Sequence, residues 1–319
     1  MNSSITKILI ISYYWPPSGG SGVQRWMYFA KYLKELNYEP IVITVDENQA
    51  SYPVLDSSLI NEVKEIRVIK TSTREPLKLY SRLISSDPNV GIPQGELNTK
   101  SFFGKVAAYI RGNFFIPDAR KGWIPFVLEA ANKILQEEKI SFLITTGPPH
   151  SSHLSGIKLK EKFNLNWWVD FRDPWGEVFY NKQMFRSKKS INKDAQLEKS
   201  VLEKASGIIT TIGGDFHKKL LRKNPQQKII SIPNGFDEEL IFKTKAEWIK
   251  NSLANKAQYQ KKYNESIKNN NAFWKKEGKR ISWIKPYKKI KDVKYSKDEV
   301  KIKWYEDGTL NASANCIDR

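Results

Sequence analysis

At 319 residues the chain has room for about two domains, each able to bury its own core. Its composition, 40% hydrophobic and 12% aromatic with ten tryptophans, excludes wholesale disorder, and its single cysteine, Cys316, excludes an internal disulfide framework and points to the reducing cytoplasm. A net charge of +19 permits anionic lipid, nucleic acid or phosphorylated ligands as partners without choosing among them.

The charge is uneven, with +8 in residues 1–242 and +11 in residues 243–319, where a solvated lysine-rich face is the plainer reading. No run approaches the roughly twenty apolar residues that span a bilayer, so membrane contact would be peripheral, at the inner face. The apolar run Ile8 to Trp15 is short and lacks a cleavage site, and it reads as a buried strand.

Taken in chain order, β-rich runs alternate with helical patterns as far as about residue 240. The runs are KILIIS (7–12), PIVITV (40–45), EIRVIK (65–70), ISFLIT (140–145), WWVDF (167–171), GIITTI (207–212) and KIISI (228–232). Their unbroken apolar character suits strands buried on both faces of a parallel sheet. Between the first two, Val23, Trp26, Met27, Ala30 and Leu33 recur at three- and four-residue steps and predict a helix. Further helices are expected at 123–138, 151–163, 192–205 and 214–223, the second capped by Ser151 or Ser152. The fold class is therefore α/β, a Rossmann-like parallel sheet.

The stretch 71–122 interrupts the alternation, and a connection of that length is usually functional or mobile. Within it Phe102, Phe103, Val106, Ala107, Ile110, Phe114 and Phe115 recur at near-helical spacing beside Lys105 and Arg111. Such a helix in 101–122 either lies on an anionic membrane or packs on the sheet. After residue 243 buried-strand runs stop. Helical pieces rich in Lys, Asn and Trp follow to about 292, then VKIKWYEDGTLN reads as a strand with a turn at Asp307-Gly308. The domains are expected to be 1–242 and a mostly helical, partly ordered 243–319.

Three stretches carry chemistry. YYWPPSGGSGVQR (13–25) places Gly19, Gly20 and Gly22 between the first strand and the first helix. Bare backbone there makes either a tight turn or a cradle in which a helix N-terminus meets a phosphate, with Arg25 able to add a charge-assisted contact. His150 follows two prolines at a strand-to-helix turn, where its imidazole either bonds a ligand hydroxyl or serves packing. FRDP sets Asp170, Arg172 and Asp173 at the end of a buried strand, where charges are costly unless paired or used. An aspartate there can position or deprotonate an acceptor hydroxyl and an arginine can pair with a phosphate, or the two simply shape the turn. Asp173 and His150 are the catalytic candidates; Gly19, Gly20, Gly22, Arg25, Asp170 and Arg172 are the binding candidates. No metal site and no cofactor is expected.

The ordered set YYWPPSGGSGVQRWMYFAKYL, FIPDARKGW, TTGPPHSSHLSGIKLK, WWVDFRDPWG and IPNGFDEE makes residues 5–242 resemble the N-terminal half of a bacterial, retaining family-4 glycosyltransferase of GT-B fold. The resemblance implies a half that binds the acceptor, a polysaccharide or lipid-linked molecule of cell-envelope polysaccharide biosynthesis. A nucleotide-diphosphate sugar is the implied donor, held in the cleft shared with a second Rossmann domain. In that family the second domain carries an Arg and Lys pair and two glutamates eight residues apart. This chain departs from the family where that domain would begin.

Residues 246–319 instead resemble the N-terminal segment of acetyl-CoA synthetase, an adenylate-forming ligase, through AQYQKKYNESIKNNNAFWKKEGKRISWIKPYKKIKDV and above all WYEDGTLNASANCIDR. The resemblance implies a structural cap without the ligase's phosphate loop or catalytic lysine. Together the two likenesses imply a fusion of two incomplete enzymes, inactive in hexosyl transfer alone. An acetate–CoA ligase fragment and a non-catalytic basic module binding anionic membrane or nucleic acid are the alternatives, nucleic acid being the less expected partner.

Overall fold

The computed structural model describes residues 5–75, 102–235, 243–296 and 299–318. The chain divides into two compact units, Met1–Phe236 and Asp237–Arg319.

In the first unit seven strands form one parallel sheet: β1 Thr6–Ile11, β2 Tyr38–Val45, β3 Arg67–Thr71, β4 Phe142–Gly147, β5 Asn166–Phe171, β6 Gly207–Thr210 and β7 Ile229–Ser231. Their spatial order is β3-β2-β1-β4-β5-β6-β7, so the winding reverses between β1 and β4. Crevices at such a switch point, outside the carboxyl ends of the strands, are where doubly wound sheets hold ligands.

Successive side chains of a strand face opposite ways, and β1 feeds two cores in turn. Leu9 and Ile11 join Ile41, Ile43, Trp123, Val127 and Ala131 on one face. Ile8 and Ile10 join Val42, Val23, Trp26, Met27 and Ala30 on the other. Each such aliphatic side chain, fully buried, contributes about 1.5–3 kcal/mol. The helices that cover the sheet are α1 Ser21–Glu35, α2 Phe102–Phe114, α3 Ile124–Glu137, α4 Ser151–Phe163, α5 Lys188–Lys204 and α6 Gly214–Lys223.

Two details differ from the sequence reading. The residue before α4 is His150, and neither Ser151 nor Ser152 caps the helix. Asp118, brought up from a distant loop, accepts from the Ser151 N–H and from its hydroxyl, both at 2.8 Å. A remote carboxylate thus meets the positive end of the helix. On α2, Val106, Tyr109, Ile110 and Phe114 are exposed while Ala108 is buried. The side chains of Phe102, Phe103 and Ala107, and residues 76–101 of the long connection, lie outside the described residues.

In the second unit α7 Ala246–Lys250, α8 Lys256–Lys268 and α9 Asn270–Glu277 precede an antiparallel pair, β8 Lys291–Tyr295 and β9 Val300–Trp304, and a last helix, α10 Ala312–Cys316. Reciprocal bonds between Asn255 and Gln258 cap the start of α8. Trp274 meets Trp304 edge-on, and Trp283 packs against Tyr287 and Tyr305. The polar run KDVKY, of which the helical reading took in only Lys291 and Asp292, is strand β8 because β9 supplies its backbone partners from Lys291↔Trp304 to Tyr295↔Val300.

Candidate functional site

The loop after β1 reaches α1 through Gly20, whose φ of 102° is natural only to glycine. Among the described residues no side chain caps α1. The Gly20 carbonyl takes the N–H groups of Val23 and Gln24, so those of Ser21 and Gly22 are left without an intrahelical acceptor. Gly19 is tied down instead, its N–H bonded to the Val54 carbonyl at 2.9 Å.

Gly22 is glycine for a different reason. A Cβ there would lie 1.9 Å from Nη1 of Arg172. That guanidinium reaches across from the end of β5, and its Nε donates to the Gly147 carbonyl at 3.2 Å while its Nη2 donates to that of Pro148. Burial pulls its pKa down, opposed by the charges of Asp170 and Asp173. Asp173 is exposed beside it.

Around them opens a cleft of about 540 Å³ lined by Tyr14, the loop glycines, Pro148, Arg172, Asp173, Thr211 and Asn234. These residues follow β1, β4, β5, β6 and β7, so the cleft lies along the carboxyl edge of the sheet. Of the sequence candidates it brings together Gly19, Gly20, Gly22, Arg172 and Asp173.

Arg25 and Asp170 are not free to serve a ligand, contrary to the sequence expectation. They are 4% and 0% exposed and pair at 3.0 Å. Asp170 also accepts from Trp26 Nε1 at 2.6 Å and Thr146 Oγ1 at 2.9 Å. Arg25 spends Nη1 on the Ile232 carbonyl and Asn234 Oδ1, and its guanidinium lies over the Phe29 ring at 4.6 Å. A fully buried carboxylate needs this many donors, and Arg25 on the inner face of α1 supplies the paired cation.

His150 does not line the cleft either. It borders a separate, smaller cavity of about 50 Å³ with Asp118, Arg120, Trp175 and Arg186. Its ring stacks on Trp175 at 4.8 Å and 12°, and its Nε2 meets the Pro174 carbonyl at 3.3 Å. Burial holds its pKa down at about 3 and that of its neighbour His153 well below the usual histidine range. At neutral pH both imidazoles are uncharged.

Tyr14, Thr211 and Asn234 line the cleft without having been picked out in the sequence. Only their places just after β1, β6 and β7 could have flagged them. Among the described residues no group of three or more His, Cys, Asp or Glu is arranged to hold a metal, and no helix is long and apolar enough to cross a membrane.

The family comparison falls within the second unit. Residues 259–316 match the family model described as acetyl-coenzyme A synthetase N-terminus. Acetyl-coenzyme A synthetase of Parvibaculum lavamentivorans is 52% identical over 79 residues, which are 25% of this chain and 12% of that protein. The Marinomonas sp. enzyme is 49% identical over 82 residues, 26% and 13% of the two chains. The chain thus spans about one-eighth of the length of the curated relatives it matches. Among solved structures, sucrose-phosphate synthase from Thermosynechococcus elongatus superposes with a TM-score of 0.44 at 17% identity over 78% of this chain and 53% of that one. A glycosyltransferase of Glycyrrhiza uralensis complexed with glycyrrhetinic acid 3-O-monoglucuronide gives 0.41 at 11% identity over 72% and 48%. The structural neighbours are GT-B glycosyltransferases, and residues 259–316 are similar to the N-terminal segment of acetyl-coenzyme A synthetase.

Proposed function

We propose that the first unit, taken as residues 1–242, is the acceptor-side half of a sugar-nucleotide-dependent glycosyltransferase, joined at about residue 243 to an acetyl-CoA-synthetase-like segment. The observation that carries this reading is the cleft at the switch point, where bare backbone, a helix N-terminus, Arg172 and the exposed Asp173 converge. The loop of Gly19, Gly20 and Gly22 presents the N–H groups of Ser21 and Gly22 to a diphosphate; Arg172, which fills the space beside Gly22, supplies a fixed positive charge; Asp173 orients or deprotonates the acceptor hydroxyl. The motif order of residues 5–242 supports the same assignment.

The proposed acceptor is a polysaccharide or a lipid-linked molecule of the cell envelope. Exposed Val106, Tyr109, Ile110 and Phe114 beside exposed Lys105 support contact with the inner membrane face through 101–122. The segment after residue 243 carries a different likeness from the donor side of such enzymes, and these 319 residues by themselves are proposed to bind ligand without turning it over.

Calorimetric titration with a panel of nucleotide-diphosphate sugars tests the site. Binding that is lost in Arg172→Gln, with the thermal transition retained, is expected. Unchanged affinity in that variant would remove the cleft from consideration.

A further inference from the structure

The turn between β5 and the next helical segment, residues 172–176, is tied down on both sides of Asp173. The Arg172 N–H donates to the Gly147 carbonyl at 3.2 Å, and Thr211 Oγ1 donates to the Arg172 carbonyl at 3.1 Å. On the far side Trp175 Nε1 donates to Asp194 Oδ1 at 2.7 Å, and Arg186 braces the other oxygen of that buried carboxylate at 2.7 Å. Pro174, between them, has no N–H to offer, and its carbonyl is met by His150 Nε2.

We propose that His150 is a positioning residue: its Nε2–H donates to the Pro174 carbonyl and its ring, flat on Trp175, holds the turn that presents Asp173 to the cleft. The inference rests on the cleft reading above for what Asp173 does there, and on geometry alone for what His150 does. A carbonyl can only accept, so the proton resides on Nε2 and Nδ1 carries the lone pair. Nδ1 has no partner among the described residues, nor has Nε2 of His153. Both face the same glycine: a Cβ on Gly147 would lie 2.8 Å from His150 Nδ1 and 2.5 Å from His153 Nε2. Gly147 is therefore the space that lets two imidazoles sit at the end of β4. His153 is itself anchored through Nδ1 to Thr145 Oγ1 at 2.8 Å, which also accepts from Trp167 Nε1 at 2.9 Å. The line of contacts runs from the centre of the sheet to the carbonyl that follows Asp173.

The chain has three histidines, so imidazole ¹⁵N spectra of histidine-labelled protein resolve each of them once His217→Asn and His150→Gln have assigned the signals. His150 is expected as a neutral Nε2–H tautomer from pH 7 down to about 5. A Nδ1–H tautomer, or a titration near the free-histidine value, overturns the proposal. The second readout is amide hydrogen exchange in residues 172–176. His150→Phe keeps a flat ring without the donor and should speed exchange by about five- to tenfold, the factor for one hydrogen bond. His150→Gln restores an N–H near the same place and should stay near native. Equal exchange in native and His150→Phe protein overturns the proposal. Nucleotide-sugar binding is measured in parallel: if the native chain binds none, the glycosyltransferase reading falls, while tautomer and exchange still decide the role of His150.

Discussion

Asp170 and Asp173 are three residues apart and face opposite fates. Asp170, fully buried, satisfies Arg25, Trp26 and Thr146, so Asp170→Ala leaves an uncompensated guanidinium and should cost about 3–5 kcal/mol in denaturant titration. Asp173→Ala, on the exposed rim of the cleft, should move stability by about 0.5 kcal/mol or less and act on function alone. The sequence showed that charges ended a buried strand, but which of them turned inward depended on Arg25, 145 residues away, and no local pattern records that pairing. His150 gives a pH signature. Folded, it takes a proton only near pH 3, whereas an unfolded histidine does so near 6.5. Between those values the unfolded chain binds more protons, so stability that is complete above about pH 6.5 declines as pH falls towards 3, by up to about 1.4 kcal/mol per unit. His153 adds in the same direction. Urea midpoints at several pH values check this, and His150→Gln should flatten the slope.

The inner strands were readable from their apolar runs because a strand covered on both faces needs no polar alternation, whereas the edge strands β3 and β7 contain no buried residue; each run of the first unit contains or overlaps an observed strand. What local pattern cannot supply is a partner from elsewhere in the chain. Helix α4 takes its N-terminal acceptor from Asp118, and strand β8 takes its identity from β9 rather than from its own lysines. The glycine loop was legible as bare backbone, but the separate tasks of its residues were not. Gly20 answers to φ, and Gly22 to the guanidinium packed against α1. The two therefore respond differently to a methyl group. Gly22→Ala should displace Arg172 and weaken nucleotide-sugar binding strongly. Gly20→Ala meets open space, so it should chiefly cost the strain of its backbone, about 1–3 kcal/mol of stability. Parallel binding and melting curves for the two variants separate these effects, and identical profiles would show that the loop acts as a single flexible turn.

At the scale of the whole molecule, two compact units with different likenesses predict separability and incomplete chemistry together. Limited proteolysis should cut between about residues 236 and 260 and leave the sheet unit intact, since residues 243–245 and helix α7 are exposed and α7 buries nothing. A protease-resistant core of full length would count against two modules. Catalysis is the harder requirement. Glycosyl transfer needs the departing nucleotide diphosphate stabilised as charge develops on it, and preorganised cations of that kind commonly supply the largest single term. On the proposed reading Arg172 would be one such group, fixed by two backbone carbonyls. The +11 of residues 243–319 is carried largely by exposed lysines on short helices and a two-stranded ribbon, which do not hold ammonium groups within about half an ångström of a reacting centre. The purified chain should therefore bind nucleotide-diphosphate sugars weakly and release no nucleotide diphosphate above background with lipid-linked or soluble acceptors. Sustained release that requires acceptor and disappears in Asp173→Ala would overturn this expectation, because the missing cations would then have to come from a second copy of the chain, and the rate would rise with the square of protein concentration below the dimerisation midpoint.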